Sequence, residues 1–369
     1  MKWSWWIGRI LGIDIYMHST FLILLAWVAV SYYLPGHSVV AALTGVLFIL
    51  CLFGIVILHE MGHALVARRF GIRTKDITLL PIGGVARLER MPEDPKQELM
   101  VALAGPAVNI VLAGLLFAVL MPMLGAAVLM TWNDSLLTFG AFLGQMLWVN
   151  VALALFNLLP AFPMDGGRVL RAVLAMRMNY TQATRVAASI GQGMAVVFGL
   201  IGLFFNPFLI LIALFVWVGA GQEATFVQMH AVLSGVPIRQ VMVTDFRTLS
   251  PQDTLIRAVG HTLAGFQQDF PVLQDGRLVG MLTQMDLLLT LTQRGAQVPV
   301  GEVMQRRFET ADPSEMLERA AARLESGAGR TLPVLQGRQL VGLVTADNLH
   351  EFLLIQYALE EANQRPVAA

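Results

Sequence analysis

No Asp, Glu, Lys or Arg occurs between Asp14 and Glu60, and further uncharged runs cover 99–133, 135–164 and 186–222. A helix needs about 20 apolar residues to cross the hydrocarbon layer of a bilayer. Only structures that satisfy their own backbone hydrogen bonds persist there. Each run is long enough for one or two such helices. Breaks at "LPGHS", "MPMLG" and "FFNPF" divide them into six expected spans, near 19–34, 40–66, 99–121, 136–158, 187–205 and 207–228. Composition agrees: 14% of residues are charged, against about 25% in a soluble domain.

The loops between these spans set an orientation. Residues 68–96 carry seven basic side chains, and 161–186 carries Arg168, Arg171, Arg177 and Arg185, while the three opposite loops carry none. Because basic loops stay on the cytoplasmic side, the amino terminus, both basic loops and the tail are expected there. Lys2 and Arg9 precede no small-residue cleavage site, so no removable signal peptide is expected. Trp3, Trp5 and Trp6 suit a membrane-interface belt. Cys51 lies within an apolar run and reads as a small packing residue, which leaves the redox compartment open.

Charge is unevenly spread, with 27 of the 50 charged residues in 231–369. A lipid-embedded part, 1–230, therefore precedes a soluble part, 231–369. The formal net charge is zero, which gives no electrostatic case for a nucleic-acid partner.

"GIVILHEMGHALVARRFG" places ionisable groups at the end of an apolar stretch. His59 and His63 are four apart and share one helix face, with Glu60 beside them. Two imidazoles at that spacing bind Zn²⁺, and the carboxylate is placed to take a proton from water. Ionisable groups are unfavourable in a bilayer, so they call for mutual compensation, which a metal supplies. Catalytic zinc usually has three protein ligands. The best third candidate is Asp165 in "FNLLPAFPMDGGRVLRAVL", where Pro160 and Pro163 break the helix and Gly166 and Gly167 allow a tight turn. Asp165 also reads as a cap for the following helix. Asn157 reads either as a hydrogen-bond donor to a developing oxyanion or as glue between helices.

HEMGH followed by "NLLPAFPMDGG" resembles the site-2 protease family of intramembrane zinc metalloproteases, peptidase M50, over roughly residues 1–230. "GRILGIDIYMH", "PIGGVARLE" and "AGPAVN" match as well. The resemblance implies His59, His63 and Asp165 as zinc ligands, Glu60 as general base and Asn157 as a group contacting substrate or transition state. "TLLPIGGVARLE" at 78–89 reads as a strand or hairpin whose free edge suits an extended substrate, or as a turn at Gly83-Gly84.

The tail repeats itself. "FPVLQDGRLVGMLTQMDLL" and "LPVLQGRQLVGLVTADNLH" align at an offset of 62, pairing Pro271 with Pro333, Gly280 with Gly342 and Thr283 with Thr345; Met242 and Met304 keep the same offset. This resembles a tandem CBS pair over about 237–355, with repeats near 237–292 and 299–355. The resemblance implies adenine nucleotides, ATP or AMP, held through Thr283 and Asp286. In the second copy Thr345 is followed by Asp347 and Asn348, which implies a weaker or purely structural cleft. Such pairs associate face to face, which makes a homodimer the assembly to test.

The expected fold is a polytopic α-helical membrane protein with about six transmembrane helices and a C-terminal soluble α/β tandem CBS module. The expected activity is cleavage of transmembrane segments of membrane proteins by a zinc metalloendopeptidase in the cell membrane, modulated through the tail. A CBS-gated metal or ion transporter is the alternative, since intramembrane His and Asp also mark ion pathways. Glu60 argues against transport, and its retention with all three ligand candidates argues against an inactive scaffold.

Overall fold

The computed structural model describes residues 3–35, 37–81, 83–89, 92, 94–125, 138–325 and 329–364. They form two compact units, Met1–Thr225 and Phe226–Ala369.

The first unit opens with a hairpin of β1 (Ser4–Ile10) and β2 (Ile13–His18), turned at Leu11 and Gly12, both in the left-handed region. Arg9 and Asp14 pair across it at 2.8 Å, and the guanidinium holds the Asp14 carboxyl below its usual range. Two helices follow, α1 (Thr20–Tyr33) and α2 (Val39–Arg69). They bring the chain back to add β3 (Thr74–Leu80) parallel to β2, and β4 (Gly83–Leu88) pairs antiparallel with β3. The sheet order is β1-β2-β3-β4, so β4 is an edge strand. It lies within the segment expected to supply one. Ile13, Phe21, Phe53, Met61, Ala64, Ile77 and Leu79 form the core that ties the sheet to α1 and α2, with the Phe21 and Phe53 rings edge to face at 4.5 Å.

The remaining helices are α3 (Pro95–Leu124), α4 (Phe139–Asn157), α5 (Asp165–Ala175), α6 (Tyr180–Phe204) and α7 (Pro207–Leu233). Polar side chains cap three of them. Asp94 accepts from Lys96 N–H before α3, Thr138 from Ala141 N–H before α4 and Asn179 from Gln182 N–H before α6. Among the described residues, five helices are long and apolar enough to cross a membrane: α2, α3, α4, α6 and α7. The sixth expected span, 19–34, is α1, whose 14 residues extend only about 21 Å against a hydrocarbon core of about 30 Å. The β1–β2 hairpin takes the residues that a longer α1 would need. The start of the expected 136–158 span lies outside the described residues. In α2, Leu43, Leu47, Leu50, Leu58 and Leu65 are exposed on one side, whereas Phe53, His59, Met61, His63, Ala64 and Ala67 are buried. This is the pattern of a helix with a lipid face and a protein face. The chain is a multi-pass membrane protein.

The second unit is two copies of one motif. The first contains α8 (Leu255–Leu263), β5 (Phe270–Gln274), β6 (Arg277–Leu282) and α9 (Gln284–Arg294). After the one-turn helix α10 (Val300–Val303), the second contains α11 (Leu317–Glu325), β7 (Thr331–Gln336), β8 (Gln339–Thr345) and α12 (Ala346–Gln364). Register repeats along with sequence: Val272 faces Gly280 and Val334 faces Gly342. The copies also exchange backbone pairs, Val243 with Leu343 and Gln305 with Met281. Each methionine singled out by the repeat packs on the other copy's glycine. A Cβ on Gly280 would lie 2.5 Å from Met304 Sδ, and one on Gly342 2.8 Å from Met242 Sδ.

Candidate metal centre

α2 runs unbroken through the His-Glu motif, so His59 and His63 lie one turn apart with ring centroids separated by 4.8 Å. Each imidazole needs a partner for its second nitrogen, and α3 supplies both. His63 Nδ1 lies 2.7 Å from the Val101 carbonyl oxygen, and His59 Nδ1 lies 2.7 Å from Asn109 Oδ1. Both oxygens accept, so each Nδ1–H donates and each Nε2 presents a lone pair. The lone pairs converge. The two Nε2 atoms are 3.2 Å apart, and Asp165 Oδ2 is 3.2 Å from that of His59 and 3.0 Å from that of His63.

Three lone pairs at this spacing repel one another unless a proton or a metal cation stands among them. Tetrahedral ligands at about 2.0–2.1 Å from zinc are about 3.3 Å from each other, close to the 3.0–3.2 Å found here. All three residues are buried, with 5–7% of their surface exposed. Two imidazoles and a carboxylate therefore fit zinc by chemistry and by spacing.

Asp165 reaches the site because the chain before it folds back. Pro160 and Pro163 keep 158–164 out of regular helix, Ala161 and Phe162 are fully buried, and α5 begins at Asp165 itself. A Cβ on Gly166 would strike the carbonyls of Leu158 and Leu159, and one on Gly167 would stand 2.6 Å from the Ala161 carbonyl carbon. The residue before α5, Met164, makes no side-chain cap, and the Asp165 carboxylate lies on the histidines. The capping alternative for Asp165 is thus not what the structure shows.

Glu60 follows His59 on α2 and meets β4. A Cβ on Gly84 would lie 3.0 Å from Glu60 Cγ and 3.6 Å from Oε1, so the edge strand passes directly against this side chain. Asn157, the last residue of α4, is half-buried and donates from Nδ2 to Leu153 O at 3.0 Å within its own helix. The structure joins His59, His63 and Asp165, sets Glu60 beside β4, and leaves Asn157 outside their hydrogen bonds.

In the tail, Thr283 Oγ1 donates to Asp286 Oδ2 at 2.6 Å, and Gln305 Nε2 donates to the same oxygen at 2.8 Å. The other cleft differs. A cavity of about 720 Å³ lies there, lined by Val243, Asp269, Thr345, Asp347 and Asn348 among others, with Asp347 3.5 Å from Arg330. Val243 occupies the position that Gln305 holds in the other copy, and a valine cannot reach out to bind a carboxylate.

Comparison with known proteins places these features in a family. The family described as peptidase family M50 matches residues 47–138 and 121–201, and the CBS domain matches 238–292 and 300–355. A protein of Methanocaldococcus jannaschii named a zinc metalloprotease is 35% identical over 283 residues, covering 76% of this chain and 78% of the relative. The chain belongs to peptidase family M50. A solved structure titled site-2 protease, from the same organism, is 36% identical and covers 60% of this chain and 95% of that one, with a TM-score of 0.45. A CBS domain-containing protein of Bacillus subtilis is 32% identical over 114 residues, covering 30% of this chain and 81% of that protein.

Within this M50 chain the sequence reading passes over two residues of the candidate site. Asn109 orients His59, and Gly105 keeps α3 clear of the ligand atoms. Both lie in "AGPAVN", and their spacing from Val101 by four and eight residues puts all three on one helix face. That periodicity is the signal that would have found them.

Proposed function

We propose that this M50 protease is a zinc endopeptidase that hydrolyses a peptide bond within or near a transmembrane segment of a membrane protein substrate. The convergence of His59 Nε2, His63 Nε2 and Asp165 Oδ2 supports the reading. Zinc, when bound, supplies Lewis-acid polarisation of the scissile carbonyl. Glu60 takes a proton from the attacking water and passes it to the leaving nitrogen. A helical peptide bond is shielded by its own hydrogen bonds, so the substrate must unwind. The free edge of β4 receives the extended strand by backbone pairing, and Gly84 brings that strand to Glu60. Asn157 exchanges its bond to Leu153 for one to the transition state.

The amino terminus and the tail lie in the cytoplasm, by the basic loops. The tail binds an adenine nucleotide in the cavity at Thr345 and Asp347, where Val243 stands in place of Gln305 beside the open space. It also dimerises the chain, which mass measurement in detergent tests.

Replacing Glu60 with Gln in protein reconstituted with a transmembrane substrate tests the activity. Zinc content should persist while cleavage stops. Continued cleavage removes Glu60 from the chemistry, and zinc flux across sealed vesicles would favour the transporter.

A further inference from the structure

Arg171 is completely buried in a membrane protein, six residues beyond Asp165 on the same short helix, α5. Its guanidinium donates through Nε to Glu98 Oε1 at 2.8 Å, through one terminal nitrogen to the same oxygen and through the other to Glu223 Oε1 at 2.5 Å. Tyr180 O–H donates to Glu98 Oε1 at 3.4 Å. The guanidinium carbon also lies 5.0 Å from the centre of the Phe162 ring and 4.9 Å from that of Tyr180. One side chain therefore gathers α3, α5, α6, α7 and the loop that delivers Asp165.

The position of Glu98 on α3 gives the cluster its meaning. Glu98, Val101, Gly105 and Asn109 recur at three- and four-residue intervals, so they share one face. Val101 and Asn109 fix both imidazoles, and Gly105 lies against their Nε2 atoms. The next residue along that face grips Arg171, whose helix begins with the third ligand. His59 and His63 are thus referenced to α3, and α3 is referenced to α5 through Glu98 and Arg171.

We infer that Arg171 is a positioning residue for the metal centre: with Glu98 it fixes the helix bearing Asp165 relative to the helix that orients His59 and His63. The inference rests on the zinc-protease reading above. Groups that orient metal ligands change metal affinity by about 10–100-fold when removed. A generic buried ion pair would change folding stability and leave the ligand geometry of the folded protein unaltered.

Glu98→Met is the deciding variant, since it keeps side-chain length, removes the oxygen that accepts from Arg171 and leaves Arg171 its bond to Glu223. Arg171→Met and Arg171→Lys accompany it, all in the full-length chain in detergent micelles. Zinc affinity would be measured by competition with a chelator, and ligand geometry from the visible absorption of the Co²⁺-loaded protein. The inference predicts that folded Glu98→Met binds zinc at least tenfold more weakly and shows an altered Co²⁺ spectrum. Its kcat should fall while KM for a transmembrane substrate holds. Arg171→Lys should recover part of the affinity that Arg171→Met loses. Wild-type affinity and spectrum in folded Glu98→Met, with only a lowered unfolding temperature, would overturn it even if Arg171→Met fails to fold. A wild-type chain that binds no zinc would instead sink the metal centre itself, and this inference with it.

Discussion

A methyl group on Gly105 would stand 2.6 Å from His59 Nε2, inside the space toward which the ligand atoms point. Gly105→Ala should therefore displace either α3 or the imidazoles. Overpacking of this kind costs about 1–3 kcal/mol, and here it falls on the proposed metal ligands. The expected result is zinc content below about one-tenth of wild type, measured by elemental analysis, with a lowered unfolding temperature. Full zinc occupancy would show that α3 stands farther from the site than the structure has it.

Asn109 carries a different load. Its Oδ1 accepts from His59, while its Nδ2 is buried without a partner. Asn109→Leu removes the acceptor together with the unpaired donor, so the fold should persist. Zinc affinity should drop about 10–100-fold by chelator competition. An unchanged affinity would mean that His59 is oriented without this bond.

Gly84 tests the substrate's approach. Valine at this position would press on Glu60 and on Val56, which lies 2.9 Å from the Cβ position. Gly84→Val should retain zinc and lose cleavage of a transmembrane substrate by about tenfold or more, through displacement of the general base. Wild-type turnover would separate β4 from the chemistry.

The core of the site is legible in the sequence because its parts are chemically expensive in lipid. His59, Glu60 and His63 interrupt a run without charge, and Asp165 follows a proline-broken segment that a membrane tolerates only when buried. Val101, which contributes a backbone carbonyl, and Gly105, which contributes the absence of a side chain, leave little trace in a single sequence. Glu98 and Arg171 read individually as loop charges near the membrane surface; only the packing of α3 on α5 makes them a buried pair. The tail carries an asymmetry that its local motif does not show. Thr283 and Asp286 match the nucleotide pattern better than Thr345 and Asn348, yet Gln305, distant in sequence, lies on Asp286. Comparing Gln305 with its counterpart Val243 across the repeat exposes that asymmetry. Hydropathy places α1 correctly at 19–34 but cannot show that it is too short to cross, because the residues before it form the β1–β2 hairpin instead of extending the helix.

That asymmetry yields its own test. If the cavity at Thr345 holds the nucleotide, Asp347→Ala should weaken AMP binding to the full chain by about tenfold, whereas Asp286→Ala should change it little. Calorimetric titration decides between them. Loss of binding in Asp286→Ala alone would return the site to the first cleft.

The central claim is that one zinc ion is held by groups from two separate stretches of chain. The most direct measurement is the zinc-to-protein ratio of wild type and Asp165→Asn after dialysis against a moderate chelator. The account predicts about one zinc per chain in the wild type, as for a single catalytic site, and near zero in the variant. Equal zinc in both proteins would contradict it.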